Sequence, residues 1–250
     1  ILRCLVGSEM CIRDRCKESV WKYEGMWEDF SHTVGFWADM KNPYVTYHND
    51  YIESEWWALK EIWKKGLLYE GHKIVPYCPR CGTPLSSHEV AQGYKDVKER
   101  SAVVRFKVKG EDAYILAWTT TPWTLPSNVA LCVNPDEDYV KVTSKGYTYY
   151  MAAALVDTVL GEGAEILEHY QGKDLEFKEY EPLFPYAEKR IGNKKAYYVV
   201  CDTYVTLTDG TGVVHIAPAF GEDDSKVGHR YDLPFVQLVN EKGEMTEETP

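Results

Sequence analysis

The run AWTTTPWTLPSN, Ala117 to Asn128, limits what this chain can fold into more than any other stretch. Three adjacent β-branched residues, Thr119, Thr120 and Thr121, favour an extended strand. Pro122 and Pro126 then interrupt any ladder, so the strand must end where its hydroxyls cluster. Thr124 adds a fourth hydroxyl just beyond. A strand end of this kind can hold a polar ligand without itself being charged.

A chain of 250 residues can form one large domain or two modest ones. Its 28 basic and 39 acidic residues give a net charge of −11, which argues against a general nucleic-acid binder. A site for one RNA end is still open, because local fields decide that. No apolar run approaches the ~20 residues that cross a bilayer, and no signal peptide is evident. No membrane association and a cytoplasmic location are therefore expected. Seven cysteines, unevenly spread, make a poor disulfide framework. Residues 1–15 have no helical or strand period and resemble translated adapter sequence. They are expected to be a non-native leader, and the chain to be a fragment.

Two further segments follow. Residues 16–97 are rich in Trp and Tyr. Their clearest element is a helix from Tyr51 to Lys65, with Asp50 as cap and Glu53 completing a capping box. Ile52, Trp56, Leu59, Ile62 and Trp63 recur at helical spacing, which makes packing the expected role of Trp56 and Trp57. Lys73 to Tyr77 reads as a short strand. Residues 98–250 read as strands over 102–108, 114–120, 129–133, 139–143, 147–151, 197–200 and 212–216. Helices are expected over 152–160 and 222–231. The fold class is α/β, with a β-barrel-like domain preceded by a partly helical segment.

Two constellations could carry chemistry. Cys78 and Cys81, in VPYCPRCGTPLS, have the spacing that lets two thiolates face one zinc ion. Pro84 argues against a redox CxxC at a helix start. Half a zinc site and a plain reduced turn both stay open. The second constellation is DGTGVVHIAPAFGEDD, Asp209 to Asp224. Gly210 and Gly212 make a tight turn into a strand that holds His215, and Glu222, Asp223 and Asp224 begin a helix. Taken alone, His215 could be a core residue, and the acids could simply complement the helix dipole.

Together these strings resemble isoleucyl-tRNA synthetases, over most of the chain after residue 15. The stretch from Gly35 to Val97 resembles the connective part of the synthetase core. AWTTTPWTLPSNVALCVNPDEDYV and GTGVVHIAPAFGEDD resemble the two walls of the inserted editing domain. Valyl and leucyl relatives typically carry Arg where this chain has Thr121, and Trp123 also points to the isoleucyl branch. Phe220 in APAFGEDD suggests the archaeal and eukaryotic-like branch.

The resemblance implies a proofreading site that hydrolyses valyl-tRNA(Ile). The whole enzyme would use ATP and Mg to activate isoleucine, but the chain has neither a HIGH-type nor a KMSKS-type motif, so aminoacylation by it alone is not expected. One methylene distinguishes isoleucine from valine, worth about 1–3 kcal/mol in a pocket, a range established on this very pair rather than inferred from this chain. By the resemblance, Asp224 pairs with the substrate ammonium. Thr119, Thr120 and Thr121 contact the terminal ribose, the ester or the attacking water. Thr124 and Asn128 hold the adenosine or shape the pocket, and His215 lines the side-chain slot. Cys78 and Cys81 become half of a zinc knuckle whose partner cysteines lie beyond Pro250. The implied partners are the 3′ end of tRNA(Ile) carrying valine and the rest of the synthetase. A non-catalytic RNA-contacting module, a free-standing editing hydrolase and an inert fragment are the competing readings.

Overall fold

A computed structural model of the chain describes residues 9–249, in two compact units that divide between Gly71 and His72. Among the described residues, the first unit holds three helices, α1 (Glu9–Lys22), α2 (Glu24–Thr33) and α3 (Asn49–Lys64). Residues 9–15, expected to lack regular structure, form the first turns of α1, a helix without a marked apolar stripe. The remainder of that proposed leader lies outside the described residues. Helix α3 starts earlier than expected. Its cap is His48, with no side-chain hydrogen bond, so Asp50 serves the first-turn dipole rather than a capping box. No residue of α2 or α3 is buried. Trp56 and Trp57 are 68% and 66% exposed, against the packing role expected for them, because helices this few enclose no core around α3.

The second unit opens on a two-residue hairpin, β1 (Tyr77–Cys78) and β2 (Thr83–Pro84). The strand expected from Lys73 is absent as far as Pro76, because only Tyr77 and Cys78 find a partner to ladder with. A capping box without a sequence-based expectation starts α4 (Ser87–Ala91), where Ser86 and Glu89 bond reciprocally.

The main sheet has eight strands: β3 (Ala102–Lys107), β4 (Tyr114–Thr119), β5 (Ala130–Val133), β6 (Asp138–Ser144), β7 (Tyr147–Ala152), β8 (Glu165–Gln171), β9 (Tyr198–Cys201) and β10 (Val213–Ile216). Their order is β8-β6-β7-β4-β10-β5-β9, with β3 also on β4. The expected strands are present within one or two residues, and β8 is additional. It is a largely exposed edge strand, so it has no hydrophobic alternation to announce it. The helix expected over 152–160 divides into a 3₁₀ turn, Ala153–Leu155, and α5 (Val156–Leu160), ended by Gly161 at φ +74. A short helix, α6 (Glu188–Ile191), precedes β9, and α7 (Glu222–Arg230) follows β10.

Strand β4 is the branch point. It pairs with β3 along its length, with β7 at Tyr114 and Ile115, and with β10 at Trp118. A strand has two edges, so β7 and β10 share one, diverging from its two ends. This divergence curls the sheet into a half-barrel. Both faces are filled. Phe106, Ile115, Leu131, Val133, Tyr139 and Met151 belong to one core, and Val129, Cys132, Val200, Ile216 and Val227 to the other. Strand β5 is wholly buried and sends alternate residues to each.

Where β10 leaves β7, glycine is required. Gly212 has φ +72, and a Cβ there would sit 2.4 Å from the Ala152 Cβ. Its carbonyl accepts a 2.6 Å hydrogen bond from the Tyr139 hydroxyl, which anchors the turn that delivers β10 to the centre of the sheet.

Candidate functional site

Thr119 is the last residue of β4. Thr121 then leaves the strand at φ −122 and ψ 65, and Pro122 opens a 3₁₀ turn, Pro122–Ser127. This is the early strand end that the two prolines dictate. The turn folds the threonine hydroxyls back on one another. Thr121 N–H donates to Thr119 Oγ1 at 3.0 Å, and the Thr124 hydroxyl donates to the Thr121 carbonyl at 2.8 Å. The Thr121 hydroxyl lies 3.4 Å from that of Thr119 and 3.5 Å from that of Thr124. Thr120 is exposed and stands outside this hydroxyl chain.

The chain of hydroxyls ends on β10, where His215 Nε2 lies 3.0 Å from Thr124 Oγ1. His215 is buried opposite Leu131, and burial pulls its imidazole down to about 4, so the ring is neutral at pH 7. Its Nδ1 is buried without a hydrogen-bond partner.

The same strand leads to the acid. Two residues beyond His215, the Ala217 amide donates to Asp224 Oδ2 at 3.0 Å. Asp224 lies in the first turn of α7, whose preceding residue Gly221 supplies no side-chain cap. Burial raises its carboxyl to about 6, and the nearby Asp223 adds to the rise, while the Ala217 amide opposes it. The helix dipole alone, which would keep an exposed acid ionised, loses to desolvation here.

Asn128 is buried, with its amide already engaged. It donates to the Ala130 carbonyl at 2.8 Å and accepts from the Tyr180 hydroxyl at 2.7 Å. Tyr204, which sequence reasoning missed, borders Asp224. Its hydroxyl is buried, and burial raises it far above the usual phenol range. Nothing in the sequence marks this tyrosine, because only the loop after β9 brings it there. The loop is also tied to α7 through Asp202, which pairs with Arg230 at 2.9 Å.

Thr119, Thr121, Thr124 and His215 thus form one bonded group, and Asp224 joins it through Ala217, just past the end of β10. A neighbouring cavity of about 250 Å³ is lined by Trp118, Tyr204, Thr211 and Val214, among others, and by neither Thr121 nor Asp224.

Cys78 and Cys81 form a separate feature. The Gly82 amide donates to the Cys78 carbonyl at 2.8 Å, and Gly82 has φ +68, closing a tight turn with the two thiols in contact. The Cys81 amide and thiol draw the Cys78 thiol below its usual range, and the Cys81 thiol is raised in return. That pair fits two zinc ligands. Among the described residues, no group of three or more His, Cys, Asp or Glu is arranged to hold a metal. No helix among them is long and apolar enough to cross a membrane.

Residues 6–216 match the family of class I tRNA synthetases (I, L, M and V), and the chain belongs to that family. Within it, the chain is similar to an isoleucine--tRNA ligase of Clostridium acetobutylicum, with 60% identity over 243 residues, 97% of this chain and 23% of the relative. An isoleucine--tRNA ligase of Bacillus thuringiensis is 52% identical over 237 residues, 94% of this chain and 23% of the relative. The chain therefore spans under a quarter of the length of these curated relatives. Both relatives are bacterial. Among solved structures, "The crystal structure of GlLeuRS-CP1" aligns with a TM-score of 0.43 and 16% identity, over 53% of this chain and 65% of that one. The Plasmodium knowlesi cytosolic leucyl-tRNA synthetase editing domain gives 0.42 and 15%, over 56% and 66%. Values this low bear no structural argument.

Proposed function

We propose that this chain is the proofreading part of an isoleucine-charging synthetase and hydrolyses valine from mischarged tRNA(Ile). The observation that carries this reading is the continuity of residues 215–217, where His215 on β10 meets the hydroxyl group and the Ala217 amide, just past the strand, holds Asp224. The similarity to isoleucine--tRNA ligases supports the choice of amino acid.

The roles follow from the chemistry. An aminoacyl ester is already activated, so the site needs to position a water and stabilise the developing oxyanion rather than supply a strong nucleophile. Thr119, Thr120 and Thr121 offer hydroxyls and backbone groups for the ribose, ester and water. Asp224, once ionised, pairs with the substrate ammonium. His215 closes the slot to isoleucine by its bulk, with Thr124 and Asn128 behind the wall. Residues 98–250 form the editing domain and 16–97 the connective segment of the core. Cys78 and Cys81 would supply two thiolates to a zinc ion completed by residues beyond this chain, where the metal would brace the knuckle. The partners are the tRNA 3′ end and the remaining synthetase, in the cytoplasm; ATP and Mg serve only the longer enzyme.

The test is hydrolysis of valyl-tRNA(Ile) against isoleucyl-tRNA(Ile), by this chain and by a longer form of the enzyme. Valyl-tRNA should be cleaved preferentially, and Asp224→Ala should abolish cleavage in the longer form while isoleucine activation persists. Full deacylation by that variant would remove Asp224 from the mechanism.

A further inference from the structure

The hydroxyl of Thr124 has one proton to give and two close acceptors, the Thr121 carbonyl and His215 Nε2. It donates to the Thr121 carbonyl at 2.8 Å, an oxygen that can only accept. Giving the proton to the nearer carbonyl makes the contact with His215 Nε2 at 3.0 Å run the other way, with the imidazole donating. His215 is neutral above about pH 4, because burial disfavours its charge, so it carries a single ring proton. In that arrangement the proton is on Nε2 and the orphaned Nδ1 is a bare acceptor, which spares the fold a buried N–H without a partner. A ring that turned over would bury a carbon against the Thr124 oxygen and forfeit the bond.

From this hydrogen-bond pattern we infer that Thr124 is a specificity-determining positioning residue, whose hydroxyl locks the rotamer and tautomer of His215 and so fixes the wall that excludes the larger amino acid. This rests on the sieve role given to His215 above. Bulk alone does not hold a wall in place. A β10 imidazole has two ring orientations, and the 91-residue link to the turn after β4 selects one. The Thr121 hydroxyl, 3.5 Å from Thr124, couples that choice to the threonine end of the site.

Two measurements test this. In the first, the chain is labelled with ¹⁵N-histidine, and the ring nitrogens of His215 are assigned by comparison with His215→Gln. Nε2 should be protonated and Nδ1 bare, and Thr124→Val should shift Nε2 while Thr124→Ser leaves it near the wild-type position. A protonated Nδ1 overturns the proposal. In the second, the longer enzyme is assayed for isoleucyl-tRNA deacylation. Thr124→Val should raise it by about tenfold, the low end of what one methylene can be worth. His215→Ala should do the same, the double variant should be no worse than either, and Thr124→Ser should restore discrimination. Wild-type discrimination in Thr124→Val, beside its loss in His215→Ala, sinks the positioning role. Unchanged discrimination in His215→Ala sinks the sieve reading instead, and the ring-nitrogen signature then decides the lock by itself.

Discussion

The Asp224 carboxylate accepts a 3.0 Å hydrogen bond from the amide of Ala217, two residues beyond His215 and just past the end of β10. One short strand and the residue that follows it therefore place a half-buried acid and a buried imidazole, each shifted toward its neutral form by desolvation. Such groups are costly to a fold and are the groups a site for a charged amine needs.

The first consequence is a pH limb. Asp224 pairs with an ammonium only when ionised, and burial holds its carboxyl at about 6. Deacylation should rise through about pH 6 and level off above it. A pH–rate profile on valyl-tRNA checks this, and a limb near 4 would mean that the carboxyl is solvated.

The second concerns stability. Asp224, raised to about 6 from 3.8, favours the fold below pH 4 and loses that contribution as pH rises through 6. His215, lowered to about 4 from 6.5, favours the fold above pH 6.5 and loses its contribution as pH falls through 4. Each amounts to about 3 kcal/mol, on the order of two pKa units, so the two nearly offset between pH 4 and 6.5. Urea titrations should show a flat wild-type profile from this pair. Asp224→Asn should become more stable at pH 7 and newly acid-sensitive, and His215→Gln should lose stability as pH rises.

A third prediction compares two glycines of similar φ. Gly212→Ala would drive a Cβ into Ala152 and Leu207, whereas Gly161 faces open space. Gly161→Ala should cost about 1–3 kcal/mol, from backbone strain alone, because φ +74 with ψ −169 is a region held almost only by glycine. Gly212→Ala should cost on the order of 3 kcal/mol or more, because overpacking adds to it. Denaturant midpoints of the two variants decide.

The fourth is metal content. A longer form reaching past the second cysteine pair should hold one zinc, and Cys78→Ser or Cys81→Ser should release it, as measured by elemental analysis. A longer form free of zinc would leave the hairpin a reduced turn.

Local chemistry makes much of this legible. Three threonines before Pro122 announce a strand that ends in hydroxyls, Gly210 and Gly212 announce a turn, and three acids announce a helix start. Trp56 and Trp57 depart from expectation because an apolar stripe says which face seeks cover, not whether cover is present. Strand β8 escapes sequence reasoning because an exposed edge needs no alternation.

By itself, the sequence determined these short-range elements, since rotamer freedom, ring closure and backbone sterics act within a few residues. Tertiary structure alone decided that Thr124 meets His215, that Asn128 commits its amide to Ala130 and Tyr180, and that Asp224 is desolvated. Register across β4, β10 and β5 sets those partners, and burial is the sum of neighbours drawn from the whole second unit.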